Sequence, residues 1–188
     1  MTSFPAKFCH LDEDGNPVPH NYGNVFFVQP CGNTQRLVIG PSTGQVRMLE
    51  RLAALFDPQP IHLLYVLMLS HSGNAPGRYQ SPPLQTLAEL NDFLETFSEF
   101  LETDGRHHLW ISNGADLLVY DQHNVIFAYG SLAKFQAVLE AERYTNSPFW
   151  FPAPHTHAFS PANADLETRL LACLPWQRSE LQPGDEWD

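Results

Sequence analysis

Positive charge is scarce in this chain: ten Lys and Arg stand against 21 Asp and Glu over 188 residues, a formal net charge of −11. Neutralising nucleic-acid phosphates needs clustered Lys and Arg, so the balance argues against direct nucleic-acid binding. Long apolar runs are missing too. The longest, Leu63 to Leu69, falls far short of the roughly 20 residues that span a bilayer, so no membrane segment is expected. The first residues run into Asp12-Glu13-Asp14 without an apolar stretch of signal length, which argues against a secretory leader. Cys9, Cys31 and Cys173 are odd in number, widely spaced and without a CxxC pair, so a disulfide framework is not expected and a reducing cytoplasm fits better. HExxH, GxGxxG and GxxxxGK[ST] are all absent, which removes the strongest signatures of zinc proteases and nucleotide-binding loops.

What is present points to a folded object. With 43% hydrophobic and 12% aromatic residues against 16% charged, a globule is expected rather than disorder. The length suits one α+β domain over residues 1–188, with an irregular lead-in (1–23) and a frayed acidic tail (about 180–188). Val25–Gln29 and Arg36–Ile39 flank Pro30-Cys31-Gly32-Asn33 and predict a hairpin. Ser42-x-x-Gln45 has the form of a capping box before a helix that ends near Pro58. Ile61–Ser70 is apolar on both faces, as a central strand would be, and the Pro- and Gly-rich stretch His71–Pro83 predicts a long loop.

A second capping box, Thr86-x-x-Glu89, opens the most regular segment in the chain. At 100° per residue Leu87, Leu90, Phe93, Leu94, Phe97, Phe100 and Leu101 fall on one side of a helix, and Glu89, Asp92, Glu95, Glu99 and Glu102 on the other. Three strands follow, His107–Ser112, Asp116–Asp121 and Val125–Gly130, turned at Asn113-Gly114 and Gln122-His123-Asn124. Two more helices are expected, one after Ser131 and one over Pro161–Leu174. The predicted architecture is a mostly antiparallel sheet of about six strands (hairpin, central strand, three-stranded meander) with three to four helices mainly on one face.

Two kinds of surface carry the functional expectations. The acidic helix side and the consecutive aromatics Phe149, Trp150 and Phe151, bounded by Pro148 and Pro152, suit a protein partner, a basic one or a second copy of this chain. A His- and Arg-bearing side gathers candidate ligand-binding residues: Arg78 and Tyr79 in the long loop, Arg106 and His108 at the helix–strand junction, and Asp121 and His123 at the second turn. His155-Thr156-His157 places two imidazoles on one side of an extended backbone, a usable metal pair. With one or two of His108, Asp121 and His123 it would make a zinc or iron site. No cofactor is otherwise implied.

At GRYQSP, DGRHHLW and VYDQHNVIFAYG the chain resembles small bacterial α+β proteins, and its acidic surface, amphipathic helix and meander resemble immunity proteins that neutralise the toxins of neighbouring cells. That resemblance implies a non-enzymatic, cytoplasmic protein-binding or regulatory role with no catalytic residue, the acidic surface blocking a basic partner. The alternative is a small metal-dependent enzyme or metal-binding protein built on the His cluster.

Overall fold

The structure, a computed structural model, describes residues 6–56 and 60–185. The expected hairpin is present as β3 (Val25–Cys31) and β4 (Thr34–Gly40), which follow two short strands, β1 (Phe8–Leu11) and β2 (Pro17–Pro19). The meander is present as well: β7 (His107–Ser112), β8 (Leu117–Tyr120) and β9 (Ile126–Tyr129), with β9 pairing onto β4. β5 (His62–Leu67) lies between β7 and β6 (Gly77–Gln80), an interior position that accounts for its apolar residues on both faces. With β10 (Thr145–Asn146) parallel to β3 at one edge and β12 (Gln177–Ser179) antiparallel to β6 at the other, these strands make a mixed, mostly antiparallel nine-stranded sheet. A separate three-stranded sheet has the order β11-β1-β2, β11 being His155–His157.

The strands are therefore more numerous than the sequence suggests, and the extra ones have a common character. β1 and β2 lie in the stretch expected to be an irregular lead-in, β6 within the expected long loop, and β12 just before the expected tail. Each has no more than four residues. Runs so short cannot display a period of two; backbone partners distant in the sequence hold them extended instead. The acidic end, residues 186–188, lies outside the described residues.

Four helices complete the α+β fold: α1 (Gln45–Ala53), α2 (Leu87–Thr103), α3 (Leu132–Ala141) and α4 (Ala164–Cys173), the last preceded by a 3-10 turn at Pro161–Asn163. α2 has its capping box, Glu89 N donating to Thr86 Oγ1 and Thr86 N to the Glu89 carboxylate. The Ser42 box does not form. The N-cap of α1 is Gly44, in left-handed backbone, and the donor Val46 N is satisfied from another helix by Glu102 Oε1 at 2.8 Å.

Alternation along the strands sends Leu37, Ile39, Leu63, Tyr65, Leu67, Leu109, Ile111, Leu118 and Tyr120 to one face, and all four helices add residues to the same buried cluster. From α2 it receives Leu90, Phe93, Leu94, Phe97, Phe100 and Leu101; burial of a side chain of this size stabilises by roughly 1.5–3 kcal/mol. The opposite face holds a second cluster, in which Phe8 and Tyr22 pack with Val38 and Val125 and, at its edge, Phe27, Phe127 and Phe149. β1, which carries Phe8, and its partner β11 thus come to lie beside the turn between β8 and β9. Among the described residues no helix is long and apolar enough to cross a membrane.

Candidate metal centre

The turn between β8 and β9 is folded around one carboxylate. Asp121 Oδ1 accepts from His123 N at 2.9 Å and Val125 N at 3.1 Å, and Asn124 takes the left-handed conformation (φ 62°) that an Asx residue tolerates. The Asn124 side chain is held in turn by the Tyr120 hydroxyl, which donates to Oδ1 at 2.7 Å. Asp121 Oδ2 lies 2.8 Å from His123 Nδ1. Burial pushes the Asp121 carboxyl up, but the His123 hydrogen bond and the positive potential of His123 and His108 outweigh it, so the group stays ionised below the usual carboxylate range.

The other two imidazoles arrive on β11. Phe8 stands opposite His157 and His10 opposite His155, so both β11 histidines take the side of the strand that Phe8 occupies on β1. His155 Nδ1 is 2.8 Å from Pro152 O, and His157 Nδ1 is 3.1 Å from Gln122 O, in the Asp121 turn itself. A carbonyl only accepts, so each of these rings carries its proton on Nδ1 and its basic lone pair on Nε2. The same holds at His123, where the carboxylate accepts from Nδ1. Gly105 admits β11 at this place: a Cβ there would stand 2.8 Å from both His157 Cβ and Lys7 O.

One ring nitrogen from each of His123, His155 and His157 lies within 4.8 Å of the others, the one group of three such ligands among the described residues. Three tetrahedral imidazole ligands at the usual zinc–nitrogen length stand about 3.3 Å apart, so side-chain rotation of an ångström or so closes the site. Phe8 forms an apolar floor, its centroid 5.1, 5.2 and 5.4 Å from the rings of His123, His155 and His157. Phe151 stacks on His123 at 4.5 Å. Burial and the neighbouring His123 lower the His157 pKa to about 3, so this imidazole is neutral at pH 7, the protonation state a metal requires.

Of the residues singled out by sequence, Asp121, His123, His155 and His157 are brought together here. Apart from Phe151, stacked on His123, the rest are placed elsewhere. Arg106 is buried, bidentate on Asp104 (2.6–3.2 Å) and 3.0 Å from Glu167 Oε2. Its guanidinium is engaged by these two carboxylates within the chain. Arg78 is paired with Asp185 at 2.6 Å, and Tyr79 is packed in the core with its hydroxyl donating to Ala75 O. His108 is opposite Val66 on β7, where burial lowers its pKa to about 4.

Two of the five acids on α2 are engaged within the chain, Glu89 in its own capping box and Glu102 at the start of α1, while Asp92, Glu95 and Glu99 are exposed. Phe149 packs on Tyr22 and Phe27, Phe151 lies on His123, and Trp150 is 81% exposed. Sequence reasoning missed Phe8, the floor of the site, and Tyr22, whose hydroxyl donates to His123 O at 3.1 Å. Both fall in the supposed lead-in, and the pairing of an aromatic with a His two residues away, Phe8 with His10 and Tyr22 with His20, is their only local signal. Comparison with family models, curated proteins and solved structures returns no match for this chain.

Proposed function

We propose that this protein binds a divalent transition metal through His123, His155 and His157 and keeps at least one coordination position for water or substrate. The observation that carries the reading is the shared orientation of the triad: every Nδ1 is engaged by a carboxylate or a carbonyl, the outer-shell arrangement that fixes tautomer and ring plane in metal-ligating histidines. An all-imidazole set suits zinc, copper or nickel, whereas a mononuclear iron oxygenase site wants a carboxylate in direct coordination, and Asp121 faces His123. At such a centre a zinc ion lowers the pKa of its bound water to about 7 and polarises a carbonyl or phosphoryl oxygen, which makes hydrolysis the reaction class it supports.

The test is metal titration of tag-free, chelator-treated protein, with cobalt as the spectroscopic probe. One equivalent per chain with tetrahedral cobalt absorption is expected. Asp121→Asn should weaken binding about 10–100-fold by loosening His123, and His155→Ala with His157→Ala should abolish stoichiometric uptake. Occupancy below about a tenth of an equivalent at micromolar metal would overturn the reading.

A second reading, docking of a basic protein segment, is favoured by a groove of about 530 Å³ between α2 and α4. Phe93, Phe97 and Leu174 line it beside the carboxylates of Glu89 and Asp92, with Arg169 on the α4 side. A helical peptide with a leucine stripe and lysines elsewhere is expected to bind there. Asp92→Lys with Leu174→Asp should remove at least about 2 kcal/mol of that affinity, the scale of an interface hot spot. An unchanged isotherm in the double variant would dismiss it.

A further inference from the structure

Beside the metal centre, on the face of the sheet opposite the helices, lies a cavity of about 150 Å³ that the triad does not use. Its walls are Phe27, Phe127, Phe149, Trp150 and Phe151, and its polar groups are Arg36 and Gln29. The register explains the assembly: Phe27 stands opposite Val38 and Val38 opposite Phe127, so the two rings flank one position of β4 on the same face. The loop after β10 folds over this row and adds the other three aromatics. Trp150 (81%) and Phe151 (42%) are among the few large apolar side chains left exposed, and both border the cavity.

Arg36 is held ready for a ligand. Its Nε donates to Gln29 Oε1 and its Nη1 to the Tyr129 hydroxyl oxygen, each at 2.8 Å, and its guanidinium carbon lies 4.1 Å from the centre of the Phe127 ring. Those contacts use two of five N–H donors. In a chain with twice as many acids as bases, no ion pair joins Arg36 to a carboxylate of the described residues. A half-buried, oriented guanidinium on an aromatic wall recognises an anion carried by a flat apolar body.

We propose that this cavity binds a single-ring aromatic carboxylate, the ring enclosed by the Phe27, Phe127 and Phe149 side chains under Trp150 and the carboxylate on Arg36. The size agrees, since an apolar cavity of about 150 Å³ is known to admit one benzene ring. The site stands independently of the metal: Phe151 is shared with the triad through its stacking on His123, but no ligand atom of the triad lines the cavity.

The experiment compares benzoate, benzamide and cyclohexanecarboxylate by ligand-observed NMR and calorimetry on chelator-treated protein, so that failure here and failure of metal binding are separate results. Benzoate should bind saturably, and benzamide and cyclohexanecarboxylate at least fivefold more weakly. Arg36→Gln should lower benzoate affinity at least tenfold while leaving benzamide within twofold. Trp150→Ala, at a position too exposed to unfold the chain, should weaken both aromatic ligands together. Equal affinity for benzoate and benzamide, absence of saturable benzoate binding, or benzoate binding that appears only with metal and vanishes in His155→Ala would each overturn the proposal.

Discussion

Glu167→Ala is expected to destabilise the protein by about 3–5 kcal/mol, the usual result of leaving one member of a buried charge network uncompensated. The Glu167 side chain is fully buried on α4. Its Oε1 accepts from Ser70 Oγ at 2.6 Å, from Ser72 Oγ and from Asn74 Nδ2 at 3.0 Å, while Oε2 lies 3.0 Å from Arg106 Nη1 at an angle outside hydrogen-bond geometry. One carboxylate therefore ties the 70–74 loop, α4 and the junction between α2 and β7. Truncation removes the buried acceptor these three donors share and leaves Arg106 with Asp104 alone. Glu167→Gln keeps the volume but puts an amide where the guanidinium expects a charge, so it should lose less. Chemical denaturation measures the size of the effect and hydrogen exchange its place: residues 70–74 should lose protection first. Glu95→Gln, on an exposed helix face, should stay within about 0.5 kcal/mol of the parent, as surface substitutions usually do.

Lys7→Met is expected to act in the opposite direction, stabilising by about 2 kcal/mol at pH 7. Lys7 is fully buried. Its Nζ donates to Leu101 O at 3.2 Å and sits 3.9 Å from the centre of the Tyr120 ring, and no carboxylate of the described residues is within ion-pair distance. Burial lowers its pKa from 10.5 to about 7, with Asp121, Asp104 and Glu102 opposing the shift from a distance. A drop of that size corresponds to a cost of about 5 kcal/mol for holding the charged form in the folded state, against which the lost Leu101 hydrogen bond and ring contact return part. Methionine fills a similar volume without the charge.

The pH dependence has a definite sign. Between pH 7 and 10.5 the unfolded chain binds more protons at this position than the folded one, so the parent gains stability as pH rises through that window. The advantage of Lys7→Met should therefore be greatest at or below pH 7 and shrink towards pH 10.5. Thermal melts of both proteins from pH 6 to 10 check this, and a constant difference across the series would show that Lys7 is not carrying a depressed pKa.

Elements whose instructions are local were legible in the sequence. The capping box at Thr86 and the three-four spacing of leucines and phenylalanines define α2 without reference to anything else. Asn113-Gly114 marks the first meander turn, and Asp121 and Asn124 have the side chains that fold the second. Legibility failed where a partner decides the outcome. The acid that serves the start of α1 comes from α2, so Ser42, the obvious local candidate, is passed over. Arg78 reads as a ligand group because the acid that claims it, Asp185, is 107 residues away; Arg106 has its main partner, Asp104, close by in the sequence, and only the burial of the pair and the approach of Glu167 are tertiary.

The candidate metal centre divides along the same line. Sequence alone determined its parts, a D-x-H turn and an H-x-H strand, because the spacing of side chains on a turn or an extended segment is set by covalent geometry. Only the tertiary structure decided that they meet. β11 has three residues and no pattern that specifies a neighbour; its place follows from pairing with β1, from the space left at Gly105 and from the carbonyl of Gln122 that receives His157. Such contacts join residues far apart in the chain, and their free energy depends on the burial that brings them together. No local run of residues encodes it, and the five-ring aromatic wall around Arg36, drawn from three separate segments, was out of reach for the same reason.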